Sequence, residues 1–183
     1  VKLAVETDSI DLCGLHCHIG SQIFDIAPFE LAAKVMIDFI SEIKETVGYE
    51  IRELNLGGGF GIKYLESDTP KPFSEYMKRV SVVVKNEAEK KNVKLPFILI
   101  EPGRSVVGAE GVTVYTVGAV KHIPNIRTYM SVDGGMTDNP RYILYQSDYD
   151  VMCANKANEP KTEKVTVAGK CCESGDLIQE NAP

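Results

Sequence analysis

No stretch of lysine and arginine in this sequence is long enough to form a phosphate-tracking stripe. With a formal net charge of −6, the chain lacks the basic footprint of a nucleic-acid binder. Long apolar runs are missing as well: none approaches the roughly 20 residues needed to span a bilayer. The opening VKLAVETD carries neither a basic leader nor the apolar core of a signal peptide. These absences predict small-molecule chemistry in the cytoplasm, with no nucleic-acid and no membrane partner. Paired C-x-x-C spacing is also absent, and the five cysteines (Cys13, Cys17, Cys153, Cys171, Cys172) are an odd set. The adjacent pair at 171 and 172 is poorly placed to bridge to itself, so reduced thiols are expected rather than a disulfide framework. No internal repeat or low-complexity segment breaks the chain.

What is present is ordinary globular material: 183 residues, 44% of them hydrophobic, enough for a sizeable core. Asp11 to His18 is short and apolar and ends near a glycine, which predicts a buried strand running into a loop. A helix should follow from Pro28, with Leu31, Val35, Phe39 and Ile43 at steps of four beside Ala32, Met36 and Ile40. This broad core-facing stripe stops before Gly48. Glu53 to Leu56 predicts the second strand. Ser74 is placed to cap a second helix carrying Met77, Val80, Val84 and Ala88, and Pro96 opens a third strand, PFILIE.

Strand, helix, strand, helix, strand implies parallel strands with crossover helices and ligands at the strands' carboxyl ends. Three loops of unusual composition follow the three strands: HCHIGSQ, GGGFG and EPGR. After Arg104 the pattern changes to clustered β-branched residues separated by turns, so an all-β domain is expected to begin between about 104 and 110. Asp148 to Lys161 reads as a polar loop. Three strands cannot close an eight-stranded barrel, which takes ~250 residues. A fragment of a longer protein is therefore expected.

Each loop has a plain reading beside a chemical one. His16 and His18 point to one face of a strand and Cys17 to the other. The pair suits a metal, an imidazole lying flat on an aromatic cofactor, or two satisfied polar residues at a strand end. GGGFG lacks the spacing of dinucleotide and P-loop motifs, and it fits a tight turn as well as a phosphate cradle. EPGR is commonly a turn with a surface arginine. Together, though, a flat imidazole, glycine N–H groups, a carboxylate and a guanidinium suit a phosphorylated heteroaromatic cofactor such as pyridoxal phosphate.

GLHCHIGSQ, LNLGGGFG, EPGRSVV, DGGMTDNPRYILY and CCESGD, in this order and spacing, resemble the bacterial diaminopimelate decarboxylases, which are fold type III, alanine racemase-like pyridoxal-phosphate enzymes. The resemblance covers nearly all of the chain. It implies that residues 1–105 are the C-terminal part of a TIM-type α/β barrel and that residues 106–183 begin a C-terminal all-β domain. A homodimer with an active site shared across its interface is implied too.

The resemblance also implies roles. His18 is the catalytic imidazole stacked on the cofactor ring and Ser21 lies near the phosphate, which sets the metal reading aside and leaves His16 structural. Gly58, Gly59 and Gly103 bind phosphate, Glu101 partners the pyridine nitrogen, and Arg104 sits between phosphate and substrate. Arg141 and Tyr145 take the distal carboxylate of meso-diaminopimelate. Without the resemblance, Arg141 reads as a turn-flanking surface arginine and Tyr145 as half-buried. Cys172 is the proton donor after carbon dioxide leaves, and Glu173 binds the distal ammonium, both donated across the dimer. Asp176 fits either the same interface loop or an ordinary turn, and Cys171 reads as a small buried hydrophobe.

The implied reaction removes the D-configured α-carboxylate and gives L-lysine. The lysine that carries the cofactor in that family lies upstream, and a late tyrosine should lie beyond Pro183, so this fragment alone is expected to be inactive. Related decarboxylases of ornithine, arginine or carboxynorspermidine, and a non-catalytic decarboxylase-like regulatory protein, are the alternatives.

Overall fold

A computed structural model describes residues 1–183. The chain divides into two compact units, Val1–Lys63 with Asp68–Glu110, and Tyr64–Ser67 with Gly111–Pro183. The first holds α1 (Lys2–Val5), β1 (Gly14–His16), α2 (Ala27–Val47), β2 (Glu53–Asn55), α3 (Phe73–Lys90), β3 (Phe97–Leu99) and α4 (Arg104–Val107). Its strands form one parallel sheet in the order β1-β2-β3. Leu15 pairs with Leu54 and Leu54 with Ile98, while His16 lies beside Asn55 and Asn55 beside Leu99 at the carboxyl edge.

Leu54 of the central strand is fully buried beneath Ile37 and Ile40 of α2 and Tyr76, Val80 and Val84 of α3. The α3 face follows the expected steps of four. Ser74 does not cap it: Pro72 precedes the helix and no side chain closes its first turn. Proline's fixed φ supplies the entry that a capping hydroxyl would otherwise stabilise.

Helix α2 ends at Gly48, whose φ of 70° closes the last turn by donating its N–H to the carbonyl of Lys44 at 3.1 Å. Its buried face is a correction to the sequence reading. Phe29, Ala33, Ile37, Ile40 and Ile43 face the core, whereas Leu31, Val35 and Phe39 are 61%, 53% and 40% exposed. At about 100° per residue those three lie opposite Ala33 and Ile37. The helix is apolar on two faces, and periodicity alone cannot choose which one the sheet takes.

The second unit is a four-stranded sheet, β4 (Val117–Ile123), β5 (Arg127–Val132), β6 (Val165–Ala168) and β7 (Leu177–Ala182), in sequential order. The pairings run antiparallel, parallel and antiparallel. Val132, Val167, Ile178 and Ala182 form its small core. It is not purely β, because RYILY forms α5 (Arg141–Tyr145) between β5 and β6. One and a half turns are too short to show a helical period. Strand β7 also escapes a hydrophobicity reading, since LIQENA buries only Ile178 and Ala182.

Candidate functional site

In the first unit the three loops meet at the carboxyl ends of β1, β2 and β3, with GGGFG in the middle. Main-chain bonds continue past the strands: Glu101 N–H donates to Gly57 O at 2.7 Å, Ile23 N–H to Gly59 O at 2.9 Å and Gly61 N–H to Ile23 O at 2.9 Å. The glycines are required by this closeness. A β-carbon on Gly57 would lie 2.5 Å from the carbonyl oxygen of Cys17, one on Gly58 would overlap the carbonyl of Glu101, and one on Gly59 the carbonyl of Gly20. Gly57 and Gly59 also have φ of +69° and +90°. Close packing thus accounts for all three glycines without reference to a ligand. The ring of Phe60 anchors the loop by stacking on Phe29 with centroids 4.8 Å apart.

His18 is exposed, and its Nδ1 accepts the N–H of Gly58 at 3.3 Å, which leaves Nε2 to carry the proton of the neutral ring. Cys17, on the other face, packs against the core, and burial pushes its thiol above the ordinary range. The Arg104 guanidinium donates to Ser21 Oγ, spanning EPGR and HCHIGSQ. Gly103, with φ of +32°, turns the chain into α4. Glu101 is more than half exposed at its side chain. Its Oε1 accepts from Asn55 Nδ2 at 2.9 Å and lies 3.4 Å from His16 Nε2.

Structure therefore brings His18, Ser21, Gly58, Gly59, Glu101 and Arg104 onto one edge and adds residues that the sequence reading did not single out. Asn55 touches both Glu101 and the Gly57 N–H. Gln22, itself at φ 59°, clamps Ile62 through both main-chain groups, at 2.6 Å and 3.2 Å. The available signal was positional: polar Asn55 lies beside His16 at the carboxyl ends of two adjacent strands.

In the second unit, the Arg141 guanidinium carbon stands 5.5 Å from the centre of the Tyr145 ring. Arg141 Nε is buried and has no acceptor. Cys172 and Glu173 are exposed in the turn between β6 and β7, and Glu173 curls onto Ser174 Oγ and Gly175 N at 3.1 and 3.2 Å. That turn abuts α5, for a β-carbon on Gly175 would fall 2.6 Å from Ile143 Cδ1. Asp176 is more than a turn aspartate. It is 2% exposed and accepts Met136 N–H at 2.6 Å and Cys171 N–H at 2.7 Å, tying DGGM to CCESG. Cys171 is half-buried, and burial, followed by the Asp176 carboxylate, pushes its thiol up. Beside α5, Tyr142 donates to Glu180 Oε2 at 2.6 Å and Arg127 donates to Oε1 at 2.5 Å. Burial and that carboxylate raise the Tyr142 phenol to about 12, while its two donors hold Glu180 below the usual carboxylate range.

An imidazole, a hydroxyl, a guanidinium, a glycine loop and a carboxylate lie at one edge of a parallel α/β sheet, a donor set that suits an anionic aromatic cofactor, and a small β-sheet unit follows in the chain. Residues 1–108 match the family model described as pyridoxal-dependent decarboxylase, pyridoxal binding domain, and residues 106–183 match its C-terminal sheet domain. The chain belongs to the pyridoxal-dependent decarboxylase family. It is 49% identical over 183 residues to a diaminopimelate decarboxylase of Halalkalibacterium halodurans and 46% identical to one of Bacillus methanolicus. In both cases all of this chain covers 42% of the relative, so it spans about two fifths of their length. Among solved structures, diaminopimelate decarboxylase from M. jannaschii in complex with L-lysine aligns with a TM-score of 0.80 and 32% identity, over 98% of this chain and 40% of that one. The Helicobacter pylori enzyme complexed with L-lysine gives 0.77 and 25% identity over 98% and 42%. A lysine/ornithine decarboxylase from Vibrio vulnificus, 20% identical with a TM-score of 0.75, shares the fold. No helix is long and apolar enough to cross a membrane.

Proposed function

We propose that this chain is the cofactor-cradling and sheet portion of a pyridoxal-phosphate-dependent carboxy-lyase that converts meso-diaminopimelate to L-lysine. Residues 1–105 would then belong to a closed eight-stranded barrel and residues 106–183 to the following β domain, in a homodimer whose active sites are shared. The two-faced apolarity of α2 fits a helix with neighbours on both sides in such a barrel.

The donor set of the first unit suits pyridoxal phosphate. His18 would give its exposed imidazole face to the ring, Ser21, Gly58, Gly59, Gly103 and Arg104 would hold the phosphate, and Glu101 would pair with the pyridine nitrogen. When bound, the cofactor supplies an electron sink for the pair released as the bond between the α-carbon and its carboxylate breaks. Glu101 keeps the ring nitrogen protonated, and Arg104 neutralises phosphate and orients substrate. Cys172 delivers a proton to the α-carbon, and Glu173 binds the distal ammonium.

The observation that carries the substrate assignment is Arg141. Its guanidinium carbon stands 5.5 Å from the centre of the exposed Tyr145 ring, and a cation beside a phenol suits a second carboxylate on the substrate. Diaminopimelate has that second carboxylate, whereas ornithine lacks it. In the full-length protein, Arg141→Ala should lower kcat/KM for meso-diaminopimelate by about 100-fold or more, with Arg141→Lys recovering part of it. Unchanged kinetics in Arg141→Ala would overturn the assignment.

A further inference from the structure

Glu101 is held by an arrangement that neither the family match nor the residue roles above explain. His16 and Asn55 are paired in register at the ends of β1 and β2, so their side chains leave the sheet edge side by side. Both reach the same oxygen of Glu101, Asn55 by a 2.9 Å hydrogen bond and His16 at 3.4 Å, and neither occupies Oε2. The amide of Asn55 also works in the other direction: its Oδ1 accepts the Gly57 N–H at 2.8 Å. Gly57 O in turn accepts the N–H of Glu101 at 2.7 Å. Three hydrogen bonds thus close a ring through the Asn55 side chain, the Gly57 peptide and Glu101, fixing main chain and carboxylate together.

We infer that Asn55, assisted by His16, is a positioning residue that sets the Glu101 carboxylate against the cofactor ring and locks that placement to the glycine loop. This rests on the reading of Glu101 as the partner of the pyridine nitrogen. A glutamate side chain that is 55% exposed would otherwise sample several rotamers. With Oε1 occupied by Asn55 and His16, Oε2 is the oxygen presented to a ring nitrogen. Asparagine suits the position because it is at once donor and acceptor. Aspartate keeps the acceptor for Gly57, loses the donor to Glu101 and sets a like charge against it. Leucine, of similar size, loses both bonds.

The test uses the full-length protein with pyridoxal phosphate. Three readouts are compared in the parent, Glu101→Gln, Asn55→Asp, Asn55→Leu, His16→Leu and His16→Gln: the absorbance of the bound cofactor without substrate, the affinity for the cofactor by fluorescence titration, and kcat and KM. Asn55→Asp should shift the cofactor absorbance in the same sense as Glu101→Gln. It should also lower kcat about tenfold or more, with KM within about twofold. Cofactor affinity should stay within about threefold in Asn55→Asp and fall about tenfold in Asn55→Leu, which alone releases Gly57. His16→Gln should recover most of what His16→Leu loses. Parental absorbance and kcat in Asn55→Asp would overturn the inference while leaving the decarboxylase reading intact. A parent that binds the cofactor but releases carbon dioxide from no amino acid would refute that reading, and this inference with it.

Discussion

Asp176 is the residue whose removal should most damage the second unit. Its carboxylate is buried, takes the N–H groups of Met136 and Cys171, and fills a notch whose walls are Gly135 and Gly169. Alanine there leaves two half-buried donors without acceptors, at about 1–2 kcal/mol each once water partly replaces the carboxylate, so Asp176→Ala should cost about 2–4 kcal/mol. Asp176→Asn keeps one amide oxygen but turns an NH2 toward the second donor, and should cost about half as much. The notch supplies an internal control. A β-carbon on Gly169 would collide with the Asp176 carboxylate, so Gly169→Ala should destabilise the parent but be much better tolerated beside Asp176→Ala. Urea denaturation of the full-length variants, followed by a probe in the sheet unit, reads these differences as shifts in midpoint at constant slope. A loss below about 0.5 kcal/mol for Asp176→Ala, or purely additive costs in the double variant, would mean that the buried carboxylate does not hold these loops together.

The Tyr142–Glu180 pair predicts a bell-shaped contribution to stability. The depressed Glu180 carboxyl stabilises above the ordinary carboxylate range, and this is lost as pH falls through its lowered value. The raised Tyr142 phenol stabilises below the usual value near 10, and this is lost as pH rises through about 12. The difference in melting temperature between the parent and Tyr142→Phe should therefore be flat at neutral pH and shrink at both extremes, and a pH-independent difference would contradict it. Gly59→Ala forces a β-carbon into a φ of +90° and against the carbonyl of Gly20, so it should cost several kcal/mol, about 2–4; a fully stable variant measured by urea denaturation would mean the loop can move aside. If the active site is shared, inactive Cys172→Ala and Glu101→Ala subunits should regain activity when mixed, and no recovery despite verified subunit exchange would exclude a shared site.

Much of the first unit was legible because its signals are local and repeated: a short strand, a helix closed by Gly48, another strand, and loops of odd composition after the strands. What escaped depends on partners distant in sequence. Leu31, Val35 and Phe39 are as apolar as the face that is buried, so only the sheet decides which side of α2 turns inward. Strand β7 makes side-chain hydrogen bonds through Gln179 and Glu180 beside the burial of Ile178 and Ala182, and hydrophobic alternation does not register such a strand. The motif glycines were found but their reason was left open, since the overlap with the carbonyls of Cys17, Gly20 and Glu101 exists only once three loops converge. Asn55 and Gln22 were passed over because a lone polar residue at a strand end or in a loop carries no pattern. Asp176 was found at its place in the motif, but its two N–H partners are 5 and 40 residues away.

The most direct measurement is carbon dioxide release by the full-length protein with pyridoxal phosphate from meso-diaminopimelate, ornithine and arginine in parallel. Release from meso-diaminopimelate alone is expected, with L-lysine formed in equal amount. Release from ornithine or arginine at comparable kcat/KM would contradict the role given to Arg141, and no release from any of them would contradict the proposal that this chain belongs to a working decarboxylase.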